Sequence, residues 1–456
     1  MENIDPLLVK KYNRAVPRYT SYPTVPFWKE SISVNEWEEA FKQSFSVHNS
    51  KEGLSLYLHL PFCETMCTYC GCNKRITTDH KVENEYIKIL KKEWELYLSL
   101  MNERPLMREL HLGGGTPTFF SPEHLKELLQ FIFDRADIHP QREFSVEGHP
   151  NNTTRQHLQV FYDLGFRRIS YGVQDNDPDV QRVINRIQPV ANVRRATDAA
   201  REIGFKSVNY DLIYGLPLQT LSTMQKTIEQ VLELKPDRIA FYSYAHVPWK
   251  SRMQRLFDET DLPDADTKLQ LYQLGKKLFT HNGYTDIGMD HFALSNDDLY
   301  LAWKSGTLHR NFMGYTTQKT SILLGLGVSS ISDIGNAFAQ NNKILQDYYS
   351  LIRHDKLAVQ KGYFLNEEDV AFRHYILDIS CKGETSFKEK DLPLLETYTF
   401  PELKKLEEDN LIAWNKVGLQ VTTLGRNFIR NICRAFDLHL LRSHQTENAP
   451  QFSKAI

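Results

Sequence analysis

The chain has 456 residues, 41% of them apolar and 25% charged, with a formal net charge of -2. That size accommodates one large core and a smaller one, and a near-neutral charge with both signs interspersed offers no basic field for nucleic acid. No apolar run approaches the ~20 residues that span a bilayer, and the N-terminal stretch MENIDPLLVKKYNRAVPRYTSYP has no signal-peptide core. A cytoplasmic protein without nucleic-acid or membrane partners is therefore expected.

Residues 1–35 read as an N-terminal arm, 36–361 as the main domain and 362–456 as a small C-terminal domain. Leu54, Leu56, Leu58 and Leu60 alternate with Ser55, Tyr57 and His59, the period of a strand with one apolar and one polar face. Tyr86, Ile87, Leu90, Trp94, Tyr97, Leu98 and Met101 then recur at helical spacing. Short strand-like runs follow at 109–112, 144–147, 168–174, 208–214 and 238–244, separated by helical stretches such as 124–133, 192–203 and 222–234. Strands alternating with helices in this way predict an α/β fold built on a parallel sheet, and about six units suit a partial (β/α)6 barrel. Beyond residue 362 the pattern is mainly helical. A helix over 400–409, a hairpin of 411–414 with 419–422 and a helix over 423–438 resemble a winged helix. From Gln445 the chain is a polar tail, expected to be disordered.

Unusual polar residues fall where such a fold puts its active site. Glu147, Gln174, Asp211 and Tyr244 lie at or near the C-terminal ends of their predicted strands, and a Gly-Gly-Gly-Thr run at 113–116 follows another. In barrels of parallel strands that rim carries the chemistry.

Of six cysteines, four stand in the loop CETMCTYCGC at 63–72. In a reducing compartment such a cluster reads as metal binding, while Cys381 and Cys433, far downstream, read as core residues. The C-x3-C-x2-C spacing of Cys63, Cys67 and Cys70 can reach three corners of one iron–sulfur cube and leave the fourth iron open. Zinc is the rival, but a structural zinc site normally needs a further Cys or His pair at a distance.

With the preceding strand, Tyr69 ahead of the third cysteine and the Gly-Gly-Gly-Thr-Pro run, this loop resembles the radical S-adenosylmethionine superfamily. The blocks PRYTSYP (17–23), HLPFC (59–63), CGCNK (70–74), YGVQD (171–175), DLIYGLP (211–217), GMDHFA (288–293) and HRNFMGYTTQ (309–318) further resemble the oxygen-independent coproporphyrinogen III oxidases. The resemblance implies a [4Fe–4S] cluster on Cys63, Cys67 and Cys70 and two molecules of S-adenosylmethionine. Tyr57, Tyr69, Gly114, Glu147 and Ile331 match positions around the iron-bound molecule. Gly115, Thr116, Gln174, Arg186, Asp211 and Ala245 match positions around the second. Cys72 matches a fourth cysteine that is not a ligand. The implied reaction uses a 5′-deoxyadenosyl radical to convert two propionates of coproporphyrinogen III to vinyl groups, giving protoporphyrinogen IX. The implied donor is a flavodoxin or ferredoxin, and the expected state is a monomer.

Two positions depart from the family pattern: Gly148-His149 where a hydrophobic residue and Asp are usual, and Ile187 where an acid is usual. Arg18 and Arg310 are candidates for meeting the substrate's propionates, since arginine forks match carboxylates. Alternative readings are a haem-opening radical methyltransferase, which would share the loop and barrel, and a related haem-trafficking chaperone, which is shorter and carries Phe in place of Cys72.

Overall fold

Leu54, Leu56, Leu58 and Leu60 are fully buried on one side of strand β1 (Leu54–Leu60), facing the helices that wrap the sheet. The other side is also covered, with Ser55 and His59 buried and Tyr57 half-buried. The structure, a computed structural model, describes residues 5–248, 252–443 and 452. The polar tail expected from Gln445 lies outside them, Phe452 apart.

Five further strands follow β1: β2 (Leu106–Gly114), β3 (Asp137–Gly148), β4 (Arg168–Gln174), β5 (Ser207–Tyr214) and β6 (Arg238–Ser243). Each pairs in parallel with its predecessor. Helices α1 (Val82–Leu100), α2 (Pro122–Phe133), α3 (Arg155–Asp163), α4 (Val190–Ile203) and α5 (Leu221–Leu234) lie among these strands in sequence. This is the six-unit partial barrel the alternation predicts. The predicted strands at 109–112 and 144–147 extend further at both ends.

The sheet does not stop at six strands. Beside β6 run β7 (Tyr284–Gly288) and β8 (His291–Leu294), an antiparallel hairpin. On the other side of β1 lies β9 (Leu323–Leu326), parallel to it, then β10 (Ile331–Asp333), β11 (Ala337–Asn341) and β12 (Val359–Phe364), all antiparallel. Among the described residues this is one twelve-stranded sheet, open at β12 and β7. The extension was not legible in advance because β9 to β11 are short and interrupted by glycines, with polar residues buried among them.

The expected boundary at 362 falls inside β12, which runs to Phe364. The one at 35 falls inside the helix Val34–Glu52, whose N-cap Ser33 accepts from the Glu36 N–H at 3.3 Å. The arm is not a loose extension. Tyr12, Val16, Tyr19 and Tyr22 are buried in a second core with Phe372, Tyr375, Leu403, Phe428 and Phe436. In the C-terminal part, helices Glu367–Lys382 and Phe400–Glu408 pack near a three-stranded antiparallel sheet, one strand more than the hairpin predicted. The single helix expected over 423–438 is instead broken into pieces at 425–428, 429–434 and 438–443. Asp437 is the cause of the last break. Its carboxylate accepts from the Leu440 N–H at 3.0 Å and the Tyr19 hydroxyl at 3.0 Å, which starts a new helix and ties it to the arm.

Arg238, at the start of β6, donates to Asp297 at 2.6 Å, and Ser207 on β5 donates to the same carboxylate at 2.7 Å; the ion pair is almost wholly buried. Removing one partner strands the other charge away from water. Asp297→Ala is therefore expected to destabilise the fold by about 3–5 kcal/mol. Thermal unfolding checks this, and an unchanged midpoint would contradict it.

Candidate functional site

The cysteine loop is closed at its base and held from two sides. Phe62–Cys63 pairs in parallel with Arg75–Ile76, and the Arg75 and Thr77 N–H groups donate to the Pro61 and Cys63 carbonyls at 2.8 and 3.0 Å. From one side, the segment after β4 reaches over: Thr68 N–H donates to the Ile184 carbonyl at 3.0 Å and Asn185 to the Met66 carbonyl at 2.7 Å. From the other, buried Gln254 donates to the Tyr69 carbonyl at 2.9 Å and to the Ala245 carbonyl at 3.3 Å, binding the loop to the exit of β6.

The glycine run at the end of β2 passes directly beneath the first cysteine. Gly115 and Thr116 N–H groups donate to the Leu60 and Phe62 carbonyls at 2.9 and 3.0 Å, and the Thr116 hydroxyl reaches Cys63 Sγ at 3.3 Å. This closeness is what requires glycine. A Cβ on Gly115 would lie 2.5 Å from the Pro61 oxygen, and Gly114, at φ +114°, would bring one within 2.7 Å of the His59 ring.

Loop, glycine run and strand ends enclose a cavity of about 680 Å³. Cys63, Cys67, Cys70, Tyr69, Gly114, Gly115, Thr116, Glu147, Gln174, Arg186 and Asp211 all line it, and so do Cys72, His149 and Ile187. Tyr57, Ala245 and Ile331 stand outside the lining. Tyr57 sits behind it: its hydroxyl meets His59 Nδ1 at 3.1 Å and its ring stacks on His111, 6.0 Å between centroids. Ile331 backs β9, its carbonyl 2.5 Å from where a Cβ on Gly325 would be, and Gly325 pairs with Tyr57. Lys74, Ser170 and Tyr242 join the lining without having been expected there. Ser170 and Tyr242 occupy inward-facing strand positions, a period-2 signal the sequence does carry. Gln254 has no such signal.

The carboxylates at the rim differ. Burial works against the Glu147 anion, but the hydrogen bond and charge of His111 (3.3 Å) and the Gly114 N–H (3.3 Å) outweigh it, holding the carboxyl below its ordinary range. Asp211 is pushed up to about 6 by burial and by the charge of Glu147, despite donors from Ser170 at 3.0 Å and Asn209 at 2.8 Å. Arg186 forms no ion pair with Asp211. Its guanidinium donates to the Gly172 carbonyl at 2.6 Å and lies 3.7 Å from Cys67 Sγ, while its Nε is buried without a partner. His149, at the first departure from the family pattern, is pushed down to about 3 by burial and by Arg186 and so stays neutral.

The donor set fits an iron–sulfur cube better than a single ion. Among the described residues no three Cys, His, Asp or Glu side chains converge as one metal ion requires, whereas a cube spreads its thiolates over separate irons. Burial raises the Cys63 thiol to about 11, so the uncompensated pocket disfavours a bare thiolate there. The fourth cysteine, Cys72, hydrogen-bonds Cys70 and lowers its thiol, its own being raised in turn.

Comparison with known proteins agrees with this geometry. Residues 57–231 match the radical SAM superfamily. Oxygen-independent coproporphyrinogen III oxidase of Helicobacter pylori is 39% identical over 96% of this chain and 98% of its own length. That of Pseudomonas aeruginosa is 36% identical over 98% of both chains. The chain belongs to the oxygen-independent coproporphyrinogen III oxidase family. The solved structure of the Escherichia coli coproporphyrinogen III oxidase, a radical SAM enzyme, superimposes with a TM-score of 0.88 at 37% identity, covering 96% of this chain and 99% of that one. Membership of this oxidase family implies a [4Fe–4S] cluster and S-adenosylmethionine. No helix among the described residues is long and apolar enough to cross a membrane.

Two measurements check the site as built. Gly115→Ala is expected to keep its secondary structure by circular dichroism but to lose iron on anaerobic reconstitution, because the Pro61 backbone cannot yield; near-wild-type iron would contradict the packing. A carboxyl with a raised folded value keeps its proton longer when folded, so Asp211 costs stability as pH rises from about 4 to about 6. Asp211→Asn is accordingly expected to raise the thermal midpoint relative to wild type above pH 6, with the difference vanishing below pH 4.

Proposed function

We propose that this chain performs the oxygen-independent oxidative decarboxylation of two propionate side chains of coproporphyrinogen III to vinyl groups. For each propionate, a hydrogen atom leaves the β-carbon, CO2 departs and one electron passes to an acceptor, leaving the vinyl group. The observation that carries the reading is the single cavity. It gathers the three cysteines, the glycine run and Glu147 at the C-terminal ends of parallel strands, in a chain whose full-length relatives bear this enzyme's name.

Cys63, Cys67 and Cys70 would hold three irons of the cluster. When bound there, the cluster and S-adenosylmethionine supply one-electron cleavage of a sulfonium and the hydrogen-abstracting carbon radical that follows. The protein's own part is positioning. Glu147, kept anionic by His111 and Gly114, suits the ammonium of the iron-bound S-adenosylmethionine. Tyr57 would orient His111 from behind, Tyr69 and Gly114 would line that side, and Ile331 would back it through β9.

Gln174, Arg186 and Asp211, with Gly115, Thr116 and Ala245, would serve a second S-adenosylmethionine. Gln174 adopts φ +65° on the rim and is buried, and Arg186 keeps an unused Nε beside it, which suits a carboxylate. Arg186 and Asp211 form no ion pair, which favours a ligand role for them over merely closing the rim. We read the protein as a cytoplasmic monomer that receives electrons from a flavodoxin or ferredoxin. A haem-opening methyltransferase or a trafficking chaperone is less well supported, since the near-full-length relatives bear neither name.

An anaerobic assay with coproporphyrinogen III and mass analysis of the tetrapyrrole tests the activity; loss of two CO2 and four hydrogens in total is expected. Alanine at Cys63, Cys67 or Cys70 is expected to abolish four-iron binding, whereas Cys72→Ala should keep its iron. Equilibrium dialysis with labelled S-adenosylmethionine should give two per reconstituted chain, falling toward one in Asp211→Asn. A wild-type value of one would end the two-site proposal.

A further inference from the structure

Arg310, in the short strand His309–Asn311, is buried, yet its Nε and one terminal nitrogen have no hydrogen-bond partner. The other terminal nitrogen donates to the Arg18 carbonyl at 3.3 Å, and the guanidinium lies 4.8 Å from the Tyr315 ring centroid. Buried guanidinium donors left unused are costly, and such a group calls for an acceptor.

Arg18 stands next to it, partly exposed. It donates to the Asp290 carboxylate at 3.3 Å and to the Ser243 carbonyl at 3.2 Å, with its guanidinium 5.5 Å from the Tyr242 ring centroid. Tyr242 is a wall of the reaction cavity. Arg430, which donates to the Pro17 carbonyl at 3.2 Å, brings a third guanidinium toward Arg18 and Asp290. Positive charge therefore accumulates behind one cavity wall.

The carboxylate that meets it is delivered by an unusual turn. Met289 and Asp290 form the two-residue link between β7 and β8, at φ +40° and +76°. Such links normally use Asn or Gly, because side chains at positive φ are strained. The strain sets the Asp290 carboxylate against Arg18, where a long Arg18–carboxylate distance of 3.3 Å makes a weak pair.

We propose that Arg18 and Arg310 form a seat for one carboxylate of the substrate, and that Asp290 is a placeholder which occupies Arg18 until that carboxylate displaces it. The proposal rests on the decarboxylase reading above, and it adds the place where a propionate that is not reacting is held. Arg18 comes from the arm, Arg310 from the hairpin after β8 and Asp290 from the β7–β8 turn, so substrate binding would free the turn from Arg18 while joining the arm to the hairpin.

The test is fluorescence titration of the reconstituted full-length protein with coproporphyrin III, the oxidised and stable form of the substrate, and in parallel with its uncharged tetraamide. Arg18→Ala and Arg310→Met are each expected to weaken coproporphyrin III binding about tenfold or more, the loss typical of a charged hydrogen bond. Asp290→Asn, which keeps the shape of the turn and needs no refolding of the site, is expected to tighten it several-fold. All three should bind the tetraamide like wild type. Wild-type affinity for coproporphyrin III in both arginine variants would overturn the seat. Affinity in Asp290→Asn at or below wild type would overturn the placeholder. Failure of the wild type to bind coproporphyrin III at all would overturn the seat, since the porphyrin carries the same carboxylates, whereas a wild type that removes no CO2 from coproporphyrinogen III in the anaerobic assay would overturn the decarboxylase reading as well.

Discussion

The half-barrel turns a polar face inward, and every buried group on that face must find a partner. Strand register supplies the partners. Ser55, Glu109 and Glu143 lie side by side across β1, β2 and β3, and Tyr57, His111, Ser145, Arg168 and Ser207 form the next row. Ser55 donates to Glu109 at 2.7 Å, Arg168 to Glu143 at 2.9 Å, His111 meets Ser145 at 2.7 Å, and Asn209 donates to Ser170 at 2.7 Å. A slip of one residue in any strand would turn this face outward and bury leucines where the network now runs. The network thus pins the register, and the register places Glu147 and Asp211 at the rim.

That dependence explains why so much of the site could be read from the sequence. A row of polar residues at strand ends is a period-2 pattern interrupted at fixed places, and glycines at 113–115 mark backbone approaches that no Cβ would permit. Gln254, by contrast, lies in a short 3-10 segment with no periodicity, and only the folded chain shows that it joins the cysteine loop to the end of β6. The strands beyond β1 were hidden for a related reason. Their alternation is masked by buried Ser330, Ser332, Asp333, Gln340 and Asn341, of which Asp333 and Asn341 find partners far along the chain. Asn341, for example, donates to buried Glu93 of α1 at 2.6 Å, as does Tyr348.

The two departures from the family pattern acquire a physical meaning. His149, neutral beside Arg186, replaces an acid that could have paired with that guanidinium, and Ile187 leaves 59% of its surface exposed at the mouth. Arg186 therefore turns toward Cys67 and the Gly172 carbonyl, its Nε unused. A cation so placed lowers the cost of adding negative charge near that sulfur, a lever by which a protein tunes an iron–sulfur potential.

The way the arm is buried bears on the order in which the molecule is made. Tyr12, Tyr19 and Tyr22 leave the ribosome well before their partners Asp409, Asp437 and Leu438, which lie about four hundred residues later. Arg18 finds Asp290 and Ser243 earlier in the chain, but these tyrosines cannot be capped until the segment beyond residue 400 has been made, so the sheet and its polar interior can form before the second core closes. Closure of the second core is thus a late, long-range event, and it fixes the arm that carries Arg18 beside Tyr242.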